Sequence, residues 1–517
     1  MANANLFKTR RGKLVPAANT VNSAGGAAYA LSAKQALAQY AATGCLNATY
    51  YANADEQLAM VLELSAAVDA TFLAKTAIYC RERGYMKDMP SLLAAVLTVR
   101  GQEQLPVVFE RVINNGKMLR NFVQMVRSGA VGRKSFGTRP KKLIQAWLNN
   151  ASEKELLNAS IGSSPSLADV VKMVHPKPAE AWREAYFAWL IGKPFDVFKL
   201  PPITRAYLAY KQDRSLTIPE VPFQMLTALE LSDADWARIA VQGGWQMVRM
   251  NLNTFARHGV FKLDGIALLI AAKLRNVEAI AKARAFPFQL LAAFRSTGES
   301  VPGVVRDALQ DAMELSLANV PAIDGKLVIC PDVSGSMSSA ITGNRGSATS
   351  SIRCIDVAAL VSAAMLRKNP DAIVLPFAVD VVKLNLNARD TVLTNAEKLA
   401  AVGGGGTNCS APLVQLNRQK VNADLVVFVS DNESWVDSTR SGATATMAEW
   451  AVFKQRNPNA RLVCIDVQPS ATTQASEQSD ILNVGGFSDE VFKIVAAFSA
   501  GQLNADHWVG EIEAVTL

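Results

Sequence analysis

The chain has 517 residues, of which 50% are hydrophobic and 19% are charged. This length exceeds what one hydrophobic core supports, and this composition is too apolar for a disordered protein, so two to four globular domains are expected. The longest apolar runs, residues 92–99 and 266–272, are far shorter than the ~18 residues of a membrane span. Residues 1–16 carry basic side chains without the apolar segment of a secretory signal peptide. We therefore expect a cytoplasmic protein that does not associate with membranes.

The six cysteines are scattered without a C-x-x-C pair, which predicts neither disulfides nor a zinc site. The net charge of +8 hides an uneven distribution. Lys and Arg number 38 against 26 Asp and Glu in residues 1–325, a net charge of +12, and 15 against 19 in residues 326–517, a net charge of −4. The sequence therefore predicts that the first part binds a polyanion and that the second part binds something else, such as a cation.

The first 320 residues carry the pattern of an all-helical domain, because Ala, Leu and Met recur at three- and four-residue spacing and runs of β-branched residues are rare. One helix shows both of its ends in the sequence. Ser32 and Gln35 form an S-x-x-Q capping box, and Gly44 is placed to end the helix in a left-handed conformation. Many short helices over this length predict stacked helical pairs of the HEAT kind in residues 1–320.

The pattern changes after Pro321, where short β-branched runs are followed by polar or Gly-rich residues and, in most cases, by a helical stretch. The runs are residues 326–330, 372–377, 425–430 and 462–467. Continuous hydrophobic strands that alternate with helices indicate a parallel sheet covered on both faces. Residues 321–517 are therefore predicted to form a doubly wound α/β domain, in which a ligand binds beyond the carboxyl ends of the strands.

A D-x-S-x-S turn, formed by Asp332, Ser334 and Ser336, follows the first predicted strand. One carboxylate and two hydroxyl groups on alternate residues can all face a single hard cation, and Mg²⁺ prefers oxygen ligands. Thr407 follows four consecutive glycines, and Asp431 follows the third predicted strand. A polar turn without a metal is the alternative for the pentapeptide alone. The five oxygen-bearing side chains together favour a site for Mg²⁺ or another divalent cation.

Catalysis at this metal is not indicated by the sequence. The chain has three histidines, none of them close to the motif, and it lacks both the G-x-x-x-x-G-K-[ST] phosphate loop and the G-x-S-x-G nucleophile motif. A metallohydrolase would need a base close to an activated water, and a two-metal enzyme would need several carboxylates. We therefore expect a binding protein and not an enzyme.

Basic residues concentrate between Arg111 and Ser152, where nine Lys and Arg side chains occur without an acid. The densest part is residues 133–142, and Gly137 and Pro140 place it on a loop. A solvated loop is the alternative interpretation, but an uncompensated cluster favours contact with nucleic-acid phosphates. The sequence has no RRM or KH signature, so recognition would depend on shape, backbone charge and single-stranded ends. The contacts predicted from this run are Arg133, Lys134, Arg139, Lys141 and Lys142.

The five metal residues, with the strands before them, resemble the metal-ion-dependent adhesion site of von Willebrand factor A domains. The part before them resembles the TROVE module of the Ro autoantigen proteins, an RNA-binding family. The stretches that carry this second resemblance are SAGGA at 23–27, TYY at 49–51, RERGYMKDMP at 81–90, SLADVVKMVHPKP at 166–178 and FPFQ at 286–289. Together the two resemblances cover nearly the whole chain.

The resemblance implies a ring of HEAT-like repeats that is closed by the A domain. It implies a Mg²⁺ ion held by Ser334, Ser336 and Thr407, with Asp332 and Asp431 bound directly or through water. An acidic group of a partner would then complete the metal shell. It also implies that single-stranded 3′ ends of misfolded noncoding RNA enter the central hole, while Y-like RNA binds the outer basic surface.

The family's histidine in the S-H-x-K-P stretch contributes to RNA binding and matches His175, which Lys172 and Lys177 flank. Where eukaryotic members carry Lys and Arg on the preceding helix, this chain has Asn158 and Gly162, which shifts the expected contacts to the basic run. The resemblance suggests a bacterial or phage member, and such proteins work with a Y-like RNA and in some cases with an exoribonuclease such as polynucleotide phosphorylase. We expect a monomer that does not bind DNA.

Two functions follow from the sequence. The first is a noncatalytic RNA-binding protein that serves RNA quality control or degradation, and it predicts a steep salt dependence of RNA affinity. The second is a protein scaffold whose A domain grips an acidic partner residue through Mg²⁺, and it predicts metal-dependent capture with weak RNA affinity. A metal-dependent nuclease or phosphatase has little support.

Overall fold

The computed structural model describes residues 15–44, 46–285, 287–317, 320–343, 351–436, 442–503 and 506–517. Cys45, one of the six cysteines, and Phe286, the first residue of the FPFQ stretch, lie outside the described residues. The chain forms two compact units. The helical unit comprises Leu58–Ser316 and Ile512–Leu517, and the α/β unit comprises the chain up to Gln57 and Leu317–Glu511. Within the described ranges, no helix has the length and apolarity needed to cross a membrane.

The units divide the chain near the expected residue 320, with two differences from the predicted consecutive domains. The chain up to Gln57 groups with the α/β unit, and the last six residues group with the helical unit. Hydrogen bonds explain the second difference. Lys75 Nζ donates to the carbonyl oxygen of Glu513, and Arg111 Nη1 donates to that of Thr516.

The N-terminal part of the α/β unit contains two strands and a helix, here numbered in chain order. These are β1 (Thr20–Val21), β2 (Ala27–Ala30) and α1 (Ala33–Thr43). The predicted capping box of α1 is confirmed, because Ser32 Oγ accepts from the Gln35 backbone N–H at 3.3 Å and Gln35 Oε1 accepts from the Ser32 N–H at 3.0 Å. The predicted C-cap is also confirmed, since Gly44 has a φ of 68°. The two strands were not predicted.

The helical unit is built of short helices that pack on close neighbours in the chain. Helix α3 packs on α4 and α5, α4 on α6, α6 on α8 and α9, and α16, α17 and α18 on α19. This local packing is typical of stacked helical pairs, and the predicted helical fold is confirmed. The helices are α2 (Ala54–Ala67), α3 (Ala70–Glu82), α4 (Asp88–Arg100), α5 (Leu105–Val112), α6 (Gly116–Ser128), α7 (Thr138–Asn150), α8 (Glu153–Ala159), α9 (Leu167–Val174), α10 (Ala181–Leu190), α11 (Pro202–Gln212), α12 (Phe223–Leu226), α13 (Asp233–Gln242), α14 (Trp245–Met250), α15 (Leu252–Arg257), α16 (Ile266–Leu274), α17 (Val277–Ala283), α18 (Pro287–Ser296) and α19 (Gly303–Ser316).

The α/β unit contains a five-stranded parallel sheet with the strand order β4-β3-β5-β6-β8. A smaller antiparallel sheet joins β1, β2 and β7, so the N-terminal segment is part of this unit. The remaining elements are β3 (Leu327–Pro331), α20 (Cys354–Lys368), β4 (Ile373–Val374), α21 (Val392–Ala400), α22 (Ala411–Arg418), β5 (Leu425–Ser430), α23 (Ala445–Arg456), β6 (Arg461–Asp466), β7 (Thr472–Thr473), β8 (Ile481–Gly485), α24 (Asp489–Ser499) and α25 (His507–Glu513).

Helices cover both faces of the parallel sheet, which confirms the predicted doubly wound fold. Alternate strand residues such as Cys330, Phe428 and Cys464 pack against Leu413 of α22 and Trp450 of α23. Helix α20 packs on β3 and β5, and α24 packs on β6 and β8. Successive strands are added to the sheet in opposite directions from β3, because β4 lies on one side of β3 and β5 lies on the other. The crevice between the carboxyl ends of β3 and β5 is therefore the expected ligand position.

Candidate functional site

The five predicted metal-binding residues lie together at the carboxyl edge of the parallel sheet, in the α/β unit. Asp332, Ser334 and Ser336 occupy the turn that follows β3, and Asp431 directly follows β5. Thr407 precedes α22 and lies on the glycine-rich loop. The turn ends in a short 3-10 helix over Ser336–Ser338, and α20 begins only at Cys354.

The glycine-rich loop lies against the metal turn through main-chain hydrogen bonds. The N–H of Gly404 donates to the carbonyl oxygen of Val333 at 3.0 Å, and the N–H of Gly335 donates to that of Gly405 at 2.9 Å. Gly404 and Gly405 have φ values of 127° and 83°, which favour glycine. These glycines therefore bring Thr407 to the turn.

The three hydroxyl groups form a row inside the site. Thr407 Oγ1 donates to Ser334 Oγ at 2.9 Å, and Ser334 Oγ lies 3.3 Å from Ser336 Oγ. The backbone N–H of Ser334 donates to Asp332 Oδ1 at 2.8 Å, which fixes the turn. The side chain of Ser336 also lies beside Asp431. Both carboxylates are thus next to the row of hydroxyls.

The site is buried, and no Lys or Arg in the described part of the chain offsets its two carboxylates. All five side chains are at most 7% exposed. Burial and, to a smaller extent, the charge of Asp431 together raise the pKa of Asp332 to about 7. Burial also raises the pKa of Asp431. Within the described ranges neither carboxylate pairs with Lys or Arg, and two such buried acids are costly to ionise without a counter-charge.

This donor set fits a hard divalent cation. Mg²⁺ takes carboxylate, hydroxyl and water oxygens, and its charge would offset that of the two acids. Among the described residues, no three His, Cys, Asp or Glu side chains converge to hold a metal ion. A cation at this position would therefore depend on the hydroxyl oxygens of Ser334, Ser336 and Thr407.

The basic run of residues 133–142 forms a loop and the first turn of α7. Its arginines are anchored to the protein. The Arg133 guanidinium donates to the carbonyl oxygen of Thr98 at 2.8 Å and to that of Ser135 at 2.7 Å. Arg139 donates to the carbonyl oxygen of Gln102. Both arginines therefore tie the loop to the end of α4, a role that the sequence did not indicate.

The lysines of the same run are not anchored. No described residue forms a hydrogen bond or ion pair with the side chain of Lys134, Lys141 or Lys142. Lys141 and Lys142 line a groove of about 540 Å³ together with Phe136 and Met173. The sequence treated all five cations alike, whereas the structure separates them into anchored arginines and unanchored lysines.

Helix α9 brings the second predicted stretch to the same surface. His175 ends α9 with a φ of 50° and is exposed, as are Lys172 and Lys177. Gln145 of α7 donates to the carbonyl oxygen of Val174 at 2.6 Å and to that of His175 at 3.3 Å. The lysines of α7 and the residues around His175 therefore form one basic face of the helical unit, which we call the α7–α9 face.

Comparisons with known proteins agree with this architecture. The Ro60 vWA domain family matches residues 326–499. This part of the chain is similar to the A domain of Ro60 proteins. It is 25% identical to the RNA-binding protein RO60 of Deinococcus radiodurans over 529 residues, which cover 93% of this chain and 95% of that protein. In fold it is similar to the crystal structure of the Deinococcus radiodurans RO (RSR) protein, with a TM-score of 0.61, 20% identity and coverage of 91% of this chain and 100% of that chain.

The resemblance to the Ro family is thus confirmed over nearly the whole chain.

Gly162, one of the two positions that depart from the eukaryotic members, lies against the side chain of Arg120. A Cβ at Gly162 would lie 2.2 Å from Nη1 of Arg120, whose guanidinium donates to the carbonyl oxygens of Ile161 and Pro165. Arg120 therefore supports the loop after α8.

Several polar residues of the A-domain site were missed by the sequence analysis. Ser430 Oγ donates to Asp332 Oδ2 at 2.7 Å and accepts from the N–H of Asn432 at 3.0 Å. Asn432 Nδ2 donates to Asp466, the last residue of β6. Burial raises the pKa of Asp466 well above its usual range, and the charge of Asp431 adds to this effect. Ser430 ends one predicted strand and Asp466 is the last residue but one of another, and these positions were the available signal.

A second basic cavity, of about 480 Å³, also lies in the helical unit. Its cations are Arg81, Lys87, Lys282 and Arg284. The guanidinium of Arg284 lies 4.4 Å from the ring centroid of Tyr85. Burial lowers the pKa of Lys87, and the nearby Lys117 and Arg81 lower it further. Such repulsion between cations favours a bound anion. These residues were missed because about 200 positions of sequence separate the two halves of the cavity.

Proposed function

We propose that this chain is a noncatalytic RNA-binding protein whose helical unit binds RNA phosphates along the α7–α9 face. The observation that carries the proposal is the convergence of unanchored or exposed cations on that face, from two stretches about 30 residues apart. The cations are Lys134, Lys141, Lys142, Lys172 and Lys177, and the exposed side chain of His175 lies among them. The similarity to a protein named RNA-binding protein RO60 supports it.

Lysine is suited to this task because its ammonium group is a compact charge on a flexible stem and binds phosphate without a fixed geometry. Each neutralised phosphate releases counterions, so affinity falls steeply as salt rises. The groove beside Lys141 and Lys142 and the cavity beside Lys87 would extend the contact. Arg133 and Arg139 contribute mainly by holding the loop, although their remaining N–H groups can still reach a phosphate.

We further propose that the RNA is noncoding. A Y-like RNA would bind the outer basic surface, and the single-stranded 3′ end of a misfolded RNA would enter a central hole of the helical ring. The protein would serve RNA quality control or degradation in the cytoplasm, with an exoribonuclease as a partner. This finer assignment is supported by the resemblance to Ro proteins.

The A domain is proposed to hold Mg²⁺ through Ser334, Ser336 and Thr407, with Asp332 and Asp431 bound directly or through water. The ion would supply positive charge at the two buried carboxylates. The chain's own residues orient the site, since the Ser334 N–H and the Ser430 hydroxyl fix the two oxygens of Asp332. The proposed role is structural and involves no reaction.

The test is to measure affinity for a structured RNA with and without a single-stranded 3′ tail, across a series of salt concentrations. We expect the tail to raise affinity and the logarithm of the binding constant to fall with the logarithm of salt, by about 0.9 per duplex phosphate and about 0.7 per single-stranded phosphate. Absence of binding to either RNA at low salt would refute the proposal. Equal affinity for both RNAs would refute the assigned 3′-end preference.

A further inference from the structure

The cavity of about 480 Å³ in the helical unit is lined by cations from two distant stretches of the chain. Arg81 lies in the last turn of α3 and Lys87 directly precedes α4, whereas Lys282 and Arg284 come from the end of α17. Small-molecule sites typically have volumes of about 300–1,000 Å³. The cavity is therefore large enough for one small ligand or for one nucleotide of a longer chain.

The acid that lines this cavity does not offset the charge of its cations. Among the described residues of the lining, Glu82 is the one acidic side chain. Its carboxylate already accepts two hydrogen bonds from the guanidinium of Arg111, both at 2.7 Å. No described residue forms a hydrogen bond or an ion pair with the side chain of Lys87, Lys282 or Arg284. The cavity therefore carries a net positive charge.

Two residues that meet at the cavity, Tyr85 and Arg284, have a left-handed backbone conformation. Their φ values are 56° and 48°, which residues other than glycine, asparagine and aspartate seldom adopt. The guanidinium of Arg284 lies over the ring of Tyr85 and so joins the two stretches. Backbone strain of this kind clusters at ligand sites. Aromatic rings and guanidinium planes are also the surfaces on which proteins stack nucleobases.

Hydrogen bonds hold both sides of the cavity in place. Arg81 Nη1 donates to the carbonyl oxygen of Met86 at 3.3 Å, and Arg81 Nη2 donates to Asn114 Oδ1 at 2.8 Å. On the other side, the buried Arg249 donates to the carbonyl oxygen of Gln289 at 2.6 Å. The cations without partners are therefore carried by a fixed frame, as in a preformed binding site.

We propose that this cavity binds the phosphate monoester group of a nucleotide, with Lys87, Lys282 and Arg284 around the phosphate oxygens and the ring of Tyr85 beside the base. A phosphate monoester carries a charge of about −1.5 to −2 at pH 7 and three acceptor oxygens, whereas an internal phosphodiester carries a single negative charge. Several uncompensated cations in one small cavity match the monoester better. The ligand is a free mononucleotide or the terminal phosphate of an RNA, and in the second case the inference rests on the proposed binding of RNA.

The first test is calorimetric titration of the full chain with uridine 5′-monophosphate and, as the matched ligand, with the methyl ester of the same nucleotide. The ester keeps the base, the sugar and the phosphate, but it removes one charge and one free oxygen. We expect the ester to bind at least about tenfold more weakly, the effect of losing one charge-assisted hydrogen bond. Equal binding of the two ligands, or binding of neither, would refute the proposal.

The second test locates the site with Lys87→Gln and Lys282→Gln in one variant. Both side chains are exposed to solvent, so the variant should fold, and thermal unfolding checks this. We expect its affinity for uridine 5′-monophosphate to fall by about 100-fold, because two charged donors are lost. Lys193→Gln with Lys262→Gln is the matched control at two exposed lysines outside the cavity, and it should bind within about twofold of the wild type. An equal loss in both variants would overturn the site.

Short uridine oligonucleotides separate the two sources of the phosphate. One carries a 5′-phosphate, one carries a 3′-phosphate and one has hydroxyl groups at both ends. If the ligand is an RNA terminus, one of the two phosphates should raise affinity by at least about tenfold, and Lys87→Gln with Lys282→Gln should abolish this gain. Binding of uridine 5′-monophosphate without such a gain would assign the site to a free nucleotide.

A structured RNA with hydroxyl groups at both ends distinguishes the failure of this inference from the failure of the proposed function. If that RNA bound and no phosphate monoester did, RNA binding would stand and the nucleotide site would be refuted. If uridine 5′-monophosphate bound and the structured RNA did not, the nucleotide site would stand and the proposed RNA binding would be refuted.

Discussion

The metal site of the A domain and the α7–α9 face were both predicted from short clusters of polar residues, but the fold treats the two clusters differently. At the metal site all five predicted side chains converge and are buried. On the basic face the fold divides one run into Arg133 and Arg139, which hold backbone carbonyls, and three lysines that have no partner among the described residues. The side chains that would bind one ion lie together in the folded protein. The like charges of the basic run, in contrast, take two different roles.

The physical reason lies in the side chains. Arginine offers a planar fork of five donors, so it commonly satisfies buried carbonyl groups, as Arg120 and Arg133 do. Burial would remove water from the strongly hydrated ammonium group of lysine, so lysine side chains usually stay at the surface. The number of Lys and Arg residues in the sequence is therefore larger than the number of cations in this unit that are free to bind RNA.

The largest effect is expected from Lys141→Glu with Lys142→Glu. Reversing two charges on the α7–α9 face should lower RNA affinity at low salt by about 100-fold or more, because two phosphate contacts become repulsive. Fluorescence anisotropy with a labelled structured RNA measures this loss. Lys193→Glu with Lys262→Glu makes the same change in net charge at two exposed lysines of the helical unit. An equal loss in that control would show that overall charge, and not this face, governs binding.

A smaller effect is expected at the metal site, where Ser334→Ala with Thr407→Ala removes two of the three hydroxyls. In wild-type protein, Mg²⁺ at about 100 times its dissociation constant should stabilise the α/β unit by about 2.7 kcal/mol, and the double variant should lose this stabilisation. Thermal unfolding with Mg²⁺ or with EDTA measures it. RNA affinity should change little, because the hydroxyls belong to a different unit from the α7–α9 face. A full Mg²⁺ response in the double variant would refute the ligand assignment.

The smallest effect is expected from Arg133→Ala, which removes the hydrogen bonds to Thr98 and Ser135. Because Arg133 is partly exposed, we expect a loss of about 1 kcal/mol in the stability of the helical unit, which corresponds to a fall in Tm of about 2–4 °C. Lys134→Ala is the matched neighbour and should leave Tm unchanged within about 1 °C. Calorimetry of both variants checks this prediction. An unchanged Tm in Arg133→Ala would show that its hydrogen bonds do not support the loop.

The sequence alone predicted those features of the fold that depend on residues close together in the chain. The capping box of Ser32 and Gln35 involves residues three apart, and the strand after residue 424 was predicted with its observed ends. The predicted strand at 372–377 shortens to Ile373–Val374, although Leu375 and Phe377 still donate hydrogen bonds to β3. Strand β8 was missed because Asn483 and Gly485 interrupt its short apolar pattern.

Features that depend on distant residues could not be predicted. The hydrogen bond from the N–H of Ala24 to Glu433 spans 409 positions, and the SAGGA stretch looked only like a family signature. The cavity beside Lys87 and Arg284 is similarly nonlocal. In both cases the residue types were visible in the sequence, but only the fold determines which of them meet.

The most direct test of this account compares the RNA affinity of Lys141→Glu with Lys142→Glu against that of Arg133→Ala in one low-salt titration. If unanchored lysines bind RNA and anchored arginines hold the loop, the lysine variant should lose about 100-fold in affinity and the arginine variant less than about fivefold. A large loss in Arg133→Ala together with nearly wild-type affinity in the lysine variant would contradict it.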